Sequence, residues 1–370
     1  MAPLAIPQGL RRQAQTVADD FAQFTGVSVD ATELLTGRAA LLDIAPQGQL
    51  SAGGATRLFP TCDGWVALTL SRPDDVASIP ALLQRDSIDD DPWPAIRDWA
   101  GMHSAAEVAA RARLLGLPVA VLAETAAAPP VISTIGPPGA GSLTGILVAD
   151  LSSMWAGPLC GQLLARAGAT VVKVESRSRP DGTRSGAPAF YDWMNGGKLS
   201  YAVDFDDPTQ LAALVRVADV VIEASRPAAL SRRGLGPSTA AGRAGRIWLR
   251  ITGHGTAGEK ADWVAFGDDA AVSGGLVGYR AGAPVFRGDA IADPLTGLHA
   301  AVAVAASRNR GGGELIEFSM AAVAAGYRSF DDEDSDVIPV PPAAGLPGRD
   351  LGADNDAVRR LVAERADASC

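Results

Sequence analysis

Asp293 is the first residue in this sequence with an evident chemical use. It precedes a proline in the segment IADPLTGLHAA, where a helix is expected to begin. Asp before Pro at a helix start is usually an N-cap, so the local pattern alone favours a structural role. The two roles are compatible, because a helix N-terminus stabilises negative charge and a carboxylate is already a nucleophile at neutral pH.

The three histidines, His103, His254 and His299, are isolated from one another. A serine or cysteine triad would pair one of them with a nucleophile, and the sequence lacks a G-x-S-x-G elbow. Metal sites need clustered His, Cys, Asp or Glu ligands, and no recognisable spacing of this kind occurs. We therefore predict surface or supporting roles for the histidines, and no bound metal.

The first strand–helix turn, DLSSMWAGP, lacks the G-x-G-x-x-G pattern that brings a backbone against a pyrophosphate. Glu175 closes the second predicted strand, where a nicotinamide enzyme would hold a ribose. A lone carboxylate at a strand end is common, so a NAD-dependent enzyme remains an open but disfavoured alternative.

Strands and helices alternate from residue 146 onward, and the strands are almost continuously apolar. This pattern predicts an α/β fold with a doubly wound, mostly parallel, Rossmann-like sheet. Ahead of it, RLFPTCDGWVALTL predicts a hairpin, and Ser104 with Glu107 predicts a capped helix, which together suggest a smaller α+β domain.

The composition shifts along the chain divide it into four parts. We expect a small domain with an N-terminal helical segment over 1–125 and a catalytic sheet domain over 146–330. A Pro-, Gly- and Ala-rich linker, 126–145, joins them, and an acidic, Pro-rich tail covers 331–370.

Composition narrows the class of partner. Lys plus Arg number 32 against 42 Asp plus Glu, a net charge of −10, which argues against non-specific nucleic-acid binding. No apolar run of about 18 residues occurs, so no membrane span is expected. The start of the sequence does not resemble a signal peptide, and three sparse cysteines, Cys62, Cys160 and Cys370, suit a reducing cytoplasm.

Four segments within residues 146–326 resemble the family III CoA-transferases, a superfamily that includes formyl-CoA transferase, carnitine CoA-transferase and α-methylacyl-CoA racemase. The order and spacing of the four together make the resemblance specific. They are ILVADLSSMWAGPLCGQLLARAGATVVKVES, MNGGKLSYAVDF, DVVIEASRPAALSRRGLG and IADPLTGLHAA.

This resemblance implies that Asp293 is the acyl-carrying nucleophile. It implies coenzyme A and acyl-CoA as substrates, and no permanently bound cofactor. Arg232 falls where the family places an arginine near CoA, and arginine pairs well with phosphate. Trp155, Ala224 and Ser225 fall in the two turns at the carboxyl ends of strands, where doubly wound sheets bind ligands.

The N-terminal segments GGATRLFPTCDGWVAL and AARARLLGLPVAVL resemble the family's small domain, which normally follows the sheet domain and here precedes it. The resemblance implies that the loop with Gly53 and Gly54 closes over the nucleophile. It also implies a homodimer.

The implied activity is transfer of CoA from an acyl-CoA to a carboxylic acid through an aspartyl mixed anhydride and an aspartyl-CoA thioester. Two alternatives stay open. One is an α-methylacyl-CoA racemase-like enzyme, whose relatives carry Gly-His-Asp where this chain has Phe266. The other is an inactive CoA-binding subunit.

Overall fold

The structure, a computed structural model, describes residues 2–139, 141–226, 228–240, 243–330 and 335–367. Cys370, noted above, lies outside these residues. The strands are β1 Leu4–Ala5, β2 Thr56–Pro60, β3 Trp65–Thr69, β4 Val119–Val121, β5 Val131–Thr134, β6 Leu147–Asp150, β7 Thr170–Ser176, β8 Leu199–Val203, β9 Val220–Glu223, β10 Ile247–Thr252, β11 Val277–Arg280, β12 Ala283–Phe286, β13 Glu314–Ser319 and β14 Asp336–Val337.

Helices occur in both halves of the described chain. They are α1 Gln8–Thr25, α2 Ala31–Leu42, α3 Pro73–Ala77, α4 Ile79–Leu83, α5 Trp93–Gly101, α6 Ala105–Leu114, α7 Ala156–Arg166, α8 Pro188–Asn195, α9 Thr209–Val217, α10 Ala228–Ser231, α11 Gly267–Ser273, α12 Ala292–Asn309, α13 Met320–Ala325 and α14 Asn355–Asp367. None of them is long and apolar enough to cross a membrane, for the residues described here.

A seven-stranded sheet forms the centre of the molecule, in the order β5-β13-β10-β9-β6-β7-β8. The six strands from β13 to β8 are parallel, and β5 is the antiparallel edge strand. The order reverses beside β6, which lies between β7 and β9. Ligands bind at the carboxyl ends of strands at such a reversal.

Both faces of this sheet are covered. In β6, Val148 belongs to the core under α7 and α12, while Leu147 and Ala149 belong to the opposite core under α9 and α14. Alternate residues of a strand point to opposite faces, so near-continuous apolar strands are needed to bury both. The predicted α/β, doubly wound fold is confirmed.

A second, smaller unit is built on the antiparallel sheet β2-β3-β4. Helices α4 to α6 pack on it through a separate apolar core that includes Phe59, Val66 and Leu82. The Ser104 hydroxyl caps α6, and the Glu107 carboxylate accepts the Ser104 backbone N–H in return, which is the predicted capping box.

The N-terminal helices pack differently from the sequence-based division. Helices α1 and α2 share the core of α7 and α12, so this segment lies on the sheet domain rather than on the small unit. The predicted linker 126–145 contains β5, which pairs with β13 from Glu314↔Thr134 to Glu317↔Val131. Composition could not reveal these contacts, because both depend on partners far away in the chain.

Candidate active site

Asp293 is the second residue of α12 and does not cap it. The N-cap position is Ile291, which provides no side-chain cap. Asp293 therefore does not have the N-cap role that its local sequence pattern favoured. As a residue it is partly buried, whereas its neighbours Ala292 and Pro294 are buried.

The start of a second helix also faces Asp293. The backbone N–H of Ala156, the first residue of α7, faces the Asp293 carboxylate and stabilises its charge. Gly297 permits this approach, because a Cβ there would lie 2.6 Å from the carbonyl oxygen of Ala156. Two helix N-termini thus converge on one carboxylate.

Gly267, the first residue of α11, closes a third side. A Cβ at this position would lie 2.3 Å from Asp293 Oδ2 and 2.3 Å from the carbonyl oxygen of Ala290. Real Cβ atoms do not tolerate such contacts, so only glycine fits. This glycine brings the next residue, Asp268, close to the Asp293 carboxylate.

Asp268 and Asp289 are the other two carboxylates of the cluster. Asp268 Oδ1 accepts the backbone N–H of Ala290 at 3.0 Å. Asp289 is fully buried and pairs with Arg38, with 2.5 Å between Arg38 Nη1 and Asp289 Oδ1. Arg38, which comes from α2, pairs with Asp289, and its positive charge also acts on Asp268 and Asp293.

These surroundings shift the ionisation of the carboxylates. Burial, followed by repulsion from Asp268, raises the pKa of Asp293 to about 7, and Arg38 opposes the rise. Burial and repulsion from Asp289 raise the pKa of Asp268 to about 6. Burial also raises the pKa of Asp289. Perturbed values of this kind are typical of functional sites.

Trp155 belongs to an aromatic cluster beside these charges. It is buried, and its ring makes an edge contact with Phe190 at 5.2 Å between centroids. The Arg38 guanidinium lies 5.6 Å from the Trp155 ring centroid and 5.3 Å from that of Phe190. The structure thus joins Trp155 to the Asp293 cluster through Arg38 and the adjoining Ala156.

The loop with Gly53 and Gly54 lies over the same cluster. A Cβ at Gly53 would lie 3.6 Å from Arg38 Nη2, and both glycines are exposed. Gly54 has φ +76°, a conformation that favours glycine. Beyond the loop, the Thr56 hydroxyl donates to Asp268 Oδ2 at 3.4 Å, so the small unit also reaches the site.

Ala224, Ser225 and Arg232 occupy a different position. Ala224 and Ser225 are exposed directly after β9, beside the turn after β6, where the Leu151 N–H donates to the Ile222 carbonyl at 2.9 Å. Arg232 is exposed after α10. Among the described residues, no hydrogen bond or ion pair links these three to the Asp293 cluster, so they form a separate part of the carboxyl edge.

The histidines lie outside the cluster. His299 Nε2 is 2.8 Å from the Tyr327 hydroxyl, and His254 Nδ1 is 3.5 Å from the Ser273 hydroxyl. Burial lowers the pKa of both histidines to about 4, so they are neutral at physiological pH. His103 Nδ1 lies 2.8 Å from the Trp99 carbonyl oxygen in the small unit.

Arg38, Asp268 and Asp289 were not predicted from the sequence. Arg38 and Asp289 are 251 positions apart, and no local pattern joins them. The adjoining aspartates in AFGDDAAVSGG were a usable signal, because they stand in the first turn of a helix that begins at a glycine. Only the fold shows that this turn faces Asp293.

The profile of a family described as "CoA-transferase family III" matches residues 143–331, just over half of the chain. The chain belongs to this family. The match includes the six parallel strands of the sheet, α7, α11 and α12, and therefore Asp293 with its two helix N-termini.

Individual relatives and one solved structure each match part of this chain. The succinate–glutarate CoA-transferase of Agrobacterium fabrum is 35% identical over 187 residues, 45% of this chain and 46% of the relative. The formyl-CoA:oxalate CoA-transferase of Rhodopseudomonas palustris is 32% identical over 184 residues, 44% of this chain and 41% of the relative. The crystal structure of a CAIB/BAIF family protein from Brucella suis is 30% identical, with a TM-score of 0.46, and the match covers 50% of this chain and 54% of that one.

The chain spans about half the length of the curated relatives that it matches. Family membership follows from the profile match, because the profile covers more than half of the chain.

Proposed function

We propose that this protein transfers CoA from an acyl-CoA to a carboxylic acid, with Asp293 as the nucleophile. The observation that carries the proposal is the convergence of two helix N-termini on this carboxylate. Helix N-termini favour the ionised form, against the opposing effect of burial, and offer N–H donors to developing negative charge.

In the proposed first step, an Asp293 oxygen attacks the thioester carbonyl carbon, the carbon–sulfur bond breaks, and CoA departs as a thiolate. The product on the enzyme is a mixed anhydride. The thiolate then attacks the aspartyl carbonyl carbon, which releases the donor acid as a carboxylate and leaves an aspartyl-CoA thioester. The acceptor acid takes CoA through the same two steps in reverse. Covalent catalysis thus divides one exchange into easier steps, without a metal ion or ATP.

The CoA phosphates are proposed to bind at the carboxyl edge of the sheet, near Ala224, Ser225 and Arg232. Arg177 and Arg179 after β7 are exposed at the same edge, as is Arg226 after β9. Exposed arginines at a strand-order reversal suit phosphate groups, which they can contact through paired N–H donors. Trp155 would then connect this phosphate region to Asp293.

The racemase-like alternative would need a proton-exchanging group at the position of Phe266. This residue precedes α11, and its side chain has no ionisable group. The inactive-subunit alternative predicts no covalent chemistry at Asp293. Neither alternative is supported by a specific contact in the site.

Three further properties belong to this proposal. We propose a homodimer in the cytoplasm, and we keep the division into a small domain, a linker, a catalytic domain and a tail. The helices α1 and α2 then act as part of the catalytic unit on which they pack. The Gly53–Gly54 loop is proposed to close over the bound thioester.

Mass spectrometry of the intact protein and its peptides after mixing with succinyl-CoA, and then with other acyl-CoA donors, tests the proposal. The expected result is an acyl or CoA adduct on the peptide that contains Asp293, lost on addition of an acceptor acid. Absence of any adduct across a broad donor panel, with CoA binding intact, would favour the inactive subunit.

A further inference from the structure

We propose that Arg38 and Asp268 act in opposition as positioning residues that set the ionisation of Asp293. This inference deepens the function proposed above and rests on Asp293 as its reactive group. It assigns a role in the reaction to the N-terminal helices, which the family match over residues 143–331 does not include.

Arg38 is held where its charge acts on the whole cluster. Its Nη1 pairs with the fully buried Asp289, and its guanidinium lies against the rings of Trp155 and Phe190. A buried carboxylate and two aromatic faces leave the guanidinium little freedom. Asp289 pairs with one nitrogen of the Arg38 guanidinium, and the positive charge of this group also acts on the neighbouring carboxylates.

Asp268 acts from the other side. Gly267, at the start of α11, lies so close to Asp293 that a Cβ would not fit between them. Asp268 is the next residue of α11 and is therefore held near the Asp293 carboxylate. The Ala290 N–H and the Thr56 hydroxyl hold Asp268 in place, at 3.0 Å and 3.4 Å. Two like charges confined in a poorly solvated site disfavour ionisation of both.

The charged and polar groups that face Asp293 are therefore Asp268 from α11, Asp289 from the turn before α12, Arg38 from α2 and the Ala156 N–H from α7. A nucleophilic carboxylate must be ionised, so its reactivity rises with pH through its pKa. Removing Arg38 should raise that pKa, and neutralising Asp268 should lower it. The two effects have opposite signs, which a general loss of structure would not produce.

The experiment measures the protonation of Asp293 without substrate. A water-soluble carbodiimide with an added amine modifies protonated carboxyls, and peptide mass spectrometry measures labelling at Asp293 across pH. The wild-type midpoint is expected near pH 7. It should move up by about one pH unit or more in Arg38→Gln, and down by a similar amount in Asp268→Asn.

Arg38→Lys should restore most of the wild-type midpoint, since the charge is retained. Arg12→Gln is the matched control, because Arg12 lies on α1, is exposed, and its guanidinium donates to the Gln8 side chain, away from the Asp293 cluster. Should Arg38→Gln fold poorly because Asp289 loses its partner, the Asp268→Asn shift alone still decides.

Unchanged midpoints in both variants, or shifts in the same direction, would overturn this inference. The proposed transferase function fails separately, if wild-type protein forms no adduct with acyl-CoA. Opposite shifts with no adduct would leave Asp293 tuned but not acylated, so the two failures are distinguishable.

Discussion

At the scale of single residues, Asp293 differs from an ordinary helix-start aspartate in what surrounds it. An N-cap side chain accepts N–H groups of its own helix, whereas this carboxylate faces the first N–H of another. Removing this carboxylate should therefore lower the rate of the reaction rather than the free energy of unfolding.

Asp293→Asn should lower transfer by roughly 10³-fold or more, because an amide cannot form the anhydride. CoA binding and the melting temperature should stay close to wild type, since the shape and the Ala156 contact are retained. Steady-state transfer assays with calorimetry of CoA binding check this. Activity within tenfold of wild type would contradict the assignment.

Arg232→Ala should weaken CoA binding by about 1.5–3 kcal/mol, the usual value of a hydrogen bond to a charged group. Arg233→Ala is the control, because Arg233 instead donates to the carbonyl oxygens of Phe205 and Ala229. Isothermal titration with CoA measures both. Equal, negligible losses would place the phosphate site elsewhere on the edge.

At the scale of elements, the packing of α7 on α12 fixes the distance between the Ala156 N–H and Asp293. Gly297 is the point of closest approach, where a Cβ would also lie 2.9 Å from a Leu159 methyl group. If the two helices separated there, the Ala156 N–H would move away from the Asp293 carboxylate.

Gly297→Ala is expected to destabilise the protein by about 1–3 kcal/mol, the usual range for overpacking, and to slow acylation of Asp293. Gly101→Ala is the matched control, because that glycine ends α5 with nothing within 4 Å of its Cβ direction. Urea unfolding and the rate of adduct formation provide the two measurements. Wild-type values for both in Gly297→Ala would show that the contact is not limiting.

Local residue patterns predict some of these features, whereas others depend on tertiary packing. Periodicity and caps are local, so the parallel strands, the hairpin and the α6 capping box followed from neighbouring residues. Arg38 and Asp289 meet only through tertiary packing, and the Ala156 contact involves a backbone N–H, which any residue type provides. For the same reason, the sequence did not predict that α1 and α2 pack on the sheet domain, since a helix pattern predicts a buried face without naming its partner.

At the scale of the whole molecule, exposed apolar side chains occur on the edge strand and along the tail. Val131 is 62% exposed and Ile132 48% on β5, and Ile338 and Leu346 are 63% and 69% exposed beyond β14. We propose these positions as contacts for a second copy.

Sedimentation velocity and light scattering at micromolar concentration should therefore give the mass of a homodimer, with about twice the 37.9 kDa of one chain. The control is the same measurement after dilution, which should leave an obligate dimer intact. A monomer that still transfers CoA would contradict the dimer and show that one chain completes the site.

The short pair of β1 and β14 has a consequence for chain order. Leu4 pairs with Val337 and Ala5 with Asp336, so the segment that leaves the catalytic domain runs beside the segment that enters α1. A peptide joined at this point would lead from the catalytic domain directly into the N-terminal helices and the small unit, the order that the resemblance implies for the family. Joining the chain there and opening it between the small unit and the catalytic domain would exchange the order of the two parts, while the contacts around Asp293 would be unchanged.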